Sequence, residues 1–420
     1  MMENRSFDHY LGALSLNGRP DVNGLTHPLP SNSDDAGLPT SSWCIDDISL
    51  DFPSPPHEWQ NAHLAWANGA NSGFITQYET VTDQYLQTPM GYYSNNTLSA
   101  LYALADEFVV CDQWFASVLS STWPNRKYLH SGQRDARKDT GNFPPLPHGF
   151  ATSPIYTTLE SASDPANPSS KLSWKCYYSD GPFLGFWIDF AIKHRSNFTD
   201  IRQFVSDCRF ERLPTVSIVD PPFTFADDHP THHPRLGQRF IKLIADALTN
   251  SPSWHDSVLL ILYDEYGGFY DHVAPPTSPE GASSVDSPLG FRVPALVVSP
   301  YSGRRVSHEV FDHTSVIKSI SERWQVNFGQ SYGQRWNLAK SIWKSCFDFT
   351  KQPIPKGTYT GGPVNDVAWT EKGQGQPDDL EQGLVRLVET ITFQNFDLRS
   401  HAYTMLSLAE NDVQDRGGSA

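Results

Sequence analysis

Apolar residues fall along this chain in short continuous blocks, each ending abruptly in polar or turn residues. Four stand out: FVVCDQW from Phe108, TVSIVDPP from Thr215, SVLLILYDEYGG from Ser257 and RVPALVVSPYSG from Arg292. Runs this short and this rich in Val, Ile and Leu predict strands buried on both faces. Between them, residues 97–107 space Leu and Ala at helical intervals behind a capping position, and residues 237–249 (GQRFIKLIADALT) do the same. Strands alternating with helices predict an α/β fold, with a mostly parallel central sheet flanked by helices. Residues 17–60 and 275–290, rich in Pro, Ser, Asp and Gly, read as loop insertions. The pattern predicts a main body over 1–350 and an appendage over 351–420. The appendage comprises a linker (352–379), a helix from Leu380 and a frayed tail, NDVQDRGGSA.

Composition narrows the field. The 420 residues are 38% hydrophobic and 13% aromatic, enough for a large core, and carry a net charge of −16. Such acidity speaks against a nucleic-acid backbone binder and against general attraction to anionic membranes. It does not exclude an enzyme acting on a lipid headgroup, because a site's local field can oppose the global charge. No apolar run approaches the roughly 18 residues of a bilayer span, so at most peripheral membrane contact is expected. Glu3 and Arg5 stand where the apolar stretch of a signal peptide would lie, which leaves a soluble chain, secreted or cytoplasmic. Five scattered cysteines without a CxxC pair argue against a structural zinc site. Buried free thiols are the simpler reading, with one disulfide as the alternative for an extracellular form. Asn95-Asn96-Thr97 and Asn197-Phe198-Thr199 fit glycosylation triplets that are common by chance.

In sheets of this class ligands gather at the carboxyl ends of strands, where Asp112, Asp220, Asp264 and Glu265 fall. YDEYGGFYDHV (263–273) delivers two adjacent carboxylates into a glycine turn; burying both calls for a cation, whereas a solvated acidic turn needs none. In SSTWPNRKYLHSG (120–132), Thr122 precedes Pro124 and Arg126. The hydroxyl suits a nucleophile and the guanidinium suits a phosphate, and a turn with a surface Arg is the plainer alternative. FADDHPTHHPRLG (225–237) groups His229, His232 and His233 with Asp227 and Asp228. They are suited to holding phosphate oxygens or protonating a leaving group, or form only a polar loop. His57 lies in a Pro-rich loop. The opening MMENRSFDHYLG adds Glu3 and Asn4 as oxygen ligands, unless Ser6 or Asp8 merely caps a helix near Phe7. Together these describe a site for a phosphate ester.

MMENRSFDHYLG, TWPNR, DDHPTHH and YDEYGGFYDHVAPP, with GFRVPALVVSPY and FDHTSVI, resemble the phosphoesterase family of bacterial and plant non-specific phospholipases C and related acid phosphatases. The matches run in order from Met1 to about Ile317. The resemblance implies an alkaline-phosphatase-like α/β fold and metal-assisted phosphoryl transfer through a covalent intermediate on Ser or Thr. It implies one divalent metal ion held by Glu3, Asn4, Thr122, Asp264 and Glu265, with Thr122 as nucleophile. Arg126, His57 and His229 would act on the phosphoryl group, and Asp228, His232 and His233 would line the substrate. Phospholipase C activity on phospholipids is the expected function. An acid phosphatase on soluble monoesters is the first alternative and an inactive binding homologue the second. Relatives carry a hydrophobic strand ahead of this opening motif, so the first strand is expected to be truncated here and a longer form to exist. Tyr266 stands where relatives often carry Asn or His, and His233 where plant relatives tend to have Asp. The family's second phosphate-contacting His cluster has no clear match near WKCYYSD.

Overall fold

A computed structural model describes residues 1–45, 52–141, 143–359, 361–362, 380, 382–384, 386–387 and 398–414. The strands of the body are β1 (Val109–Cys111), β2 (Trp174–Tyr178), β3 (Phe198–Asp200), β4 (Val216–Val219), β5 (Leu259–Leu262), β6 (Ala295–Val298) and β7 (Arg305–Ser307). The four apolar runs read from the sequence are β1, β4, β5 and β6. Two sheets result. One has the order β4-β2-β3 with both pairings parallel. The other has the order β5-β6-β1-β7; β6 pairs antiparallel with both neighbours and β1 pairs parallel with β7. The architecture is α/β, and its larger sheet is mixed where a mostly parallel one was expected. The reason lies between β5 and β6. A parallel return needs a crossover, usually a helix, and residues 263–294 contain none.

The helices that matter to the site are α1 (Phe7–Tyr10), α2 (Ser99–Glu107), α3 (Thr122–Ser131), α4 (Ile201–Arg209), α5 (Pro234–Thr249), α6 (Thr314–Trp324) and α7 (Leu398–Gln414). In α5, Leu236, Phe240, Ile241, Leu243, Ile244 and Leu248 are buried, a stripe at helical spacing that packs into the main core. Pro234 stands in its first turn, where the missing N–H costs nothing, and His233 caps it. Ala402, Leu406 and Ala409 of α7 join the same core, and Arg239 of α5 pairs with Glu410. Leu380, Leu384 and Leu387 are buried in a second, aromatic cluster with Trp123, Phe150, Phe183, Phe186 and Trp187. Most of the expected linker (360 and 363–379) lies outside the described residues; of the expected frayed tail, residues 411–414 are helical in α7 and the rest lie outside the described residues.

A cavity of about 370 Å³ runs between β4 and β5. Val216 and Ile218 on one side and Leu259 and Leu260 on the other line it and are only half-buried. Met1 and Met2 close one end. Met2 makes a parallel bridge to Tyr263: its N–H donates to Leu262 O (2.7 Å) and its carbonyl accepts from Asp264 N–H (3.2 Å). The opening residues are thereby laid beside the end of β5, and Glu3 and Asn4 emerge next to Asp264 and Glu265.

Candidate active site

Three chain segments build the site. The first is Met1–Asn4 beside β5. The second is the turn after β5, where Asp264 and Glu265 follow the buried Tyr263. The third is the start of α3, with Thr122 at its first position. The loop entering α3 is pinned by Asn125. Its side chain accepts from Val118 N–H (3.0 Å) and donates to the carbonyls of Ser120 (2.9 Å) and Ser121 (3.0 Å). A hydroxyl so placed sits at the positive end of the helix dipole.

Thr122 Oγ1 lies 3.3 Å from Glu3 Oε2 and 3.2 Å from Asn4 Oδ1, and Thr122 is 4% exposed. Asn4 holds a left-handed backbone (φ 54°), and its N–H donates to Asp264 Oδ1 (2.9 Å). Its amide Nδ2 meets His57 Nε2 at 3.1 Å. Arg126, four residues after Thr122 and so one turn below it on the same face, donates from Nε to Asp264 Oδ2 (3.1 Å). Its Nη2 pairs with Glu3 Oε1 and reaches Met1 O and Met2 O. The rings of Phe183 and Phe223 cover the guanidinium at 5.4 and 4.9 Å. Arg126 is wholly buried; Nε and Nη2 go to the carboxylates and the opening backbone, and Nη1 has no hydrogen-bond partner. His313 at the head of α6 holds the carbonyl of Asp264 through Nε2 (2.7 Å).

Glu3, Asp264 and Glu265 thus set three fully buried carboxylates against the Arg126 guanidinium, which pairs with the first two, and the His57 ring, whose Nε2 lies 3.7 Å from Glu265 Oε1. Burial pushes Glu265 well above the ordinary carboxylate range, and its Oε1 has no hydrogen-bond partner. An oxygen-donor set with surplus negative charge and an orphaned oxygen is the environment a hard divalent cation fits. His57 is pulled down by burial, but Glu265 and Glu58 outweigh that and take it up to about 9. A charged ring and the Asn4 amide contact conflict, because Nε2 must accept there while Nδ1 faces Pro55 O (2.9 Å). A cation among the carboxylates would cancel their pull and leave the neutral ring that the amide requires.

The histidine loop faces this group. The rings of His57 and His229 lie 6.0 Å apart, and those of His229 and His232 lie 6.1 Å apart. Asp227, which the sequence reading left out of the site, organises them. Its Oδ1 accepts from His229 N–H (2.9 Å) and pairs with His232 Nδ1 (2.6 Å), while its carbonyl accepts from Glu3 N–H (2.8 Å). Burial, with His57 and His232 nearby, holds His229 well below its ordinary value. The structure gives Asp228 and His233 other partners. Asp228 Oδ2 takes the Tyr263 hydroxyl at 2.5 Å, and its carbonyl takes Arg5 Nε at 2.6 Å. His233 Nδ1 accepts from Arg235 N–H as the cap of α5. Of the expected residues, Glu3, Asn4, Thr122, Asp264 and Glu265 come together with His57, His229 and His232 at their edge.

The two glycines after Glu265 serve the protein backbone. A Cβ on Gly267 (φ 64°) would stand 1.9 Å from Asn4 O, and one on Gly268 (φ 77°) would stand 2.5 Å from Pro55 Cβ, in the loop that carries His57. Gly267→Ala is therefore expected to cost about 3 kcal/mol or more and to move Asn4 out of register. Thermal unfolding together with a hydrolysis assay checks both effects. Tyr266 fills an apolar pocket against Phe291 and donates to Gln77 Oε1 (3.0 Å).

A second acidic group, Asp8, Asp271 and His272, has ligand atoms close enough for a metal ion. Arg292 already occupies it, with Nε on Asp271 Oδ1 (2.8 Å) and Nη2 on Asp8 Oδ1 (3.0 Å), while His272 Nδ1 meets Asp8 Oδ2 (2.7 Å). Charge there is balanced by protein, and the cluster ties α1 to the loop after the site.

Similarity to known proteins agrees with this geometry. Residues 1–327 match the model of the Phosphoesterase family. Phospholipase C A of Mycobacterium tuberculosis is 32% identical over 411 residues, covering 84% of this chain and 77% of its own length. Non-specific phospholipase C1 of Arabidopsis thaliana is 32% identical over 363 residues, covering 77% and 65%. Among solved structures, a protein in the alkaline phosphatase superfamily from Vibrio parahaemolyticus aligns over 76% of this chain and 84% of its own, at 11% identity and a TM-score of 0.36, a likeness too weak to assign a fold. The chain belongs to the phosphoesterase family and is a hydrolase of phosphoric esters.

Proposed function

We propose that this chain is a phospholipase C that opens the bond between glycerol and phosphate in a phospholipid, with Thr122 as nucleophile. The observation that carries the reading is the Thr122 hydroxyl, fixed at a helix start within 3.3 Å of Glu3 and Asn4 oxygens. Its likeness to relatives named phospholipase C over most of both chains points the same way. Glu3, Asn4, Thr122, Asp264 and Glu265 would hold one divalent cation. When bound, it would lower the pKa of the Thr122 hydroxyl and neutralise phosphoryl charge.

The residues then divide the work. Glu3 and Asn4 orient the Thr122 hydroxyl for in-line attack. Thr122 Oγ1 gives its proton to the histidine group at the site's edge and forms a bond to phosphorus, and the bond from phosphorus to the glycerol oxygen breaks as that group passes the proton to the leaving oxygen. His57 faces the phosphoryl oxygens, and Asp227 keeps His229 and His232 turned toward the leaving side. Water then gives a proton to the same group and attacks phosphorus; the bond from Thr122 Oγ1 to phosphorus breaks, Thr122 takes that proton and the headgroup phosphate is released. Among the described residues no helix is long and apolar enough to cross a membrane, so substrate would be met at a lipid surface or in dispersed form.

The test is paired hydrolysis on one preparation, with phosphatidylcholine and a simple phosphomonoester as substrates, each with and without chelator. Chelator-sensitive release of diacylglycerol is expected. Turnover of the monoester alone would make the protein a phosphatase, and no turnover of either would leave a binding homologue.

A further inference from the structure

The five cysteines form no disulfide, and two of them face each other. Cys111 ends β1 in the middle of the larger sheet. Cys346 lies 235 residues on, with its Sγ 3.7 Å from that of Cys111, and both side chains are fully buried. Cys346 belongs to a strap laid over the sheet edge. Ser345 Oγ meets Ser307 Oγ of β7 (2.8 Å), Arg305 donates to Phe347 O (3.3 Å) and Asp348 N–H donates to Tyr301 O (2.9 Å). We propose that Cys111 and Cys346 are a cross-linking site, joined by a small disulfide such as oxidised glutathione into a bond that ties this strap to β1.

The surroundings divide the two thiols into attacker and resolver. Hydrogen bonding to Cys111, with Ser345 and Ser307 adding to it, lowers Cys346, whereas that contact and burial raise Cys111. The thiolate of Cys346 attacks one sulfur of oxidised glutathione and expels a glutathione thiolate. Cys111 gives up its proton and displaces the second glutathione from the mixed disulfide. Two protein thiols and one oxidised glutathione yield one protein disulfide and two reduced glutathiones. Sulfur atoms 3.7 Å apart need to close to about 2.05 Å, a shift that side-chain rotation and a small strap movement supply. Because both thiols are buried, the reaction waits on local opening of the strap.

The test uses the full chain carrying Cys44→Ser, which removes the half-buried thiol that would react first. After incubation with oxidised glutathione, thiols are counted in denaturant and disulfide-linked peptides are mapped by mass. The proposal expects the thiol count to fall from four to two, with a single linked pair containing Cys111 and Cys346. It also expects a melting temperature raised by several degrees and returned by dithiothreitol. Cys346→Ala in the same background should stop at glutathione-free or singly modified protein with no internal link. Four thiols remaining, or a link mapped to Cys176 or Cys208, would overturn it. The mapping on the Cys44→Ser chain stands even if Cys346→Ala folds poorly.

Discussion

Replacing Thr122 by alanine is expected to lower kcat on phosphatidylcholine by about four orders of magnitude or more, with little change in thermal stability. The hydroxyl is nearly buried and its contacts are to Glu3 Oε2 and Asn4 Oδ1. Losing contacts of this kind costs about 1 kcal/mol net, and the helix start stays pinned by Asn125, which does not depend on the Thr122 side chain. Thr122 has two proposed duties, nucleophile and ligand, and the experiment separates them. If the hydroxyl were only a ligand, activity would return as divalent cation is raised to saturation. If it is the nucleophile, saturation restores nothing. Thr122→Ser keeps the oxygen but loses the methyl group that restricts χ1, so it should retain activity within about tenfold. Thr122→Ala with activity near wild type would sink the covalent mechanism.

Local patterns made much of this legible, and contacts distant in sequence made the rest obscure. The strands from Phe108, Thr215, Ser257 and Arg292 were readable because continuous β-branched runs have few other ways to be buried. The TWPNR segment brought Thr122 and Arg126 together, but showed neither the helix that stacks them nor the direction of the guanidinium. That direction is set by Glu3 and by Asp264, 138 positions away. Asp228 was read with the histidines because it neighbours them in sequence, whereas its carboxylate turns to Tyr263, just past the end of β5. Asp227 was passed over, although the same DDHPTHH segment offered two acids, because which of two adjacent carboxylates points inward depends on backbone angles. Asp228 holds a left-handed backbone (φ 77°). The glycine turn after Glu265 was legible, but not that the space beside its glycines is filled by Asn4 and Pro55. The antiparallel course of β6 was invisible for a similar reason: the sequence between β5 and β6 lacks a helix, and a missing crossover is easily read as a long loop.

Arg126→Met is expected to have the largest effect on the fold. The guanidinium is wholly buried between Glu3 and Asp264 and also holds the carbonyls of Met1 and Met2. Methionine keeps much of the apolar stem against Phe183 and Phe223 but removes the charge. Breaking one side of a buried ion pair typically costs about 3–5 kcal/mol, because the partner charge is left uncompensated. Here two partners are left, and Glu265 already adds a third carboxylate beside them. In chelator the variant should therefore melt far below the wild type. Its response to added cation should be larger than the wild type's, because removing a positive charge from the ligand group leaves a divalent ion to supply the compensation that Arg126 supplied. Thermal unfolding of both proteins across a cation titration reads the two effects together. Equal melting in chelator would mean that Glu3 and Asp264 are not charged there. Equal shifts on adding cation would mean that the ion, if bound, lies elsewhere than among Glu3, Asn4, Asp264 and Glu265.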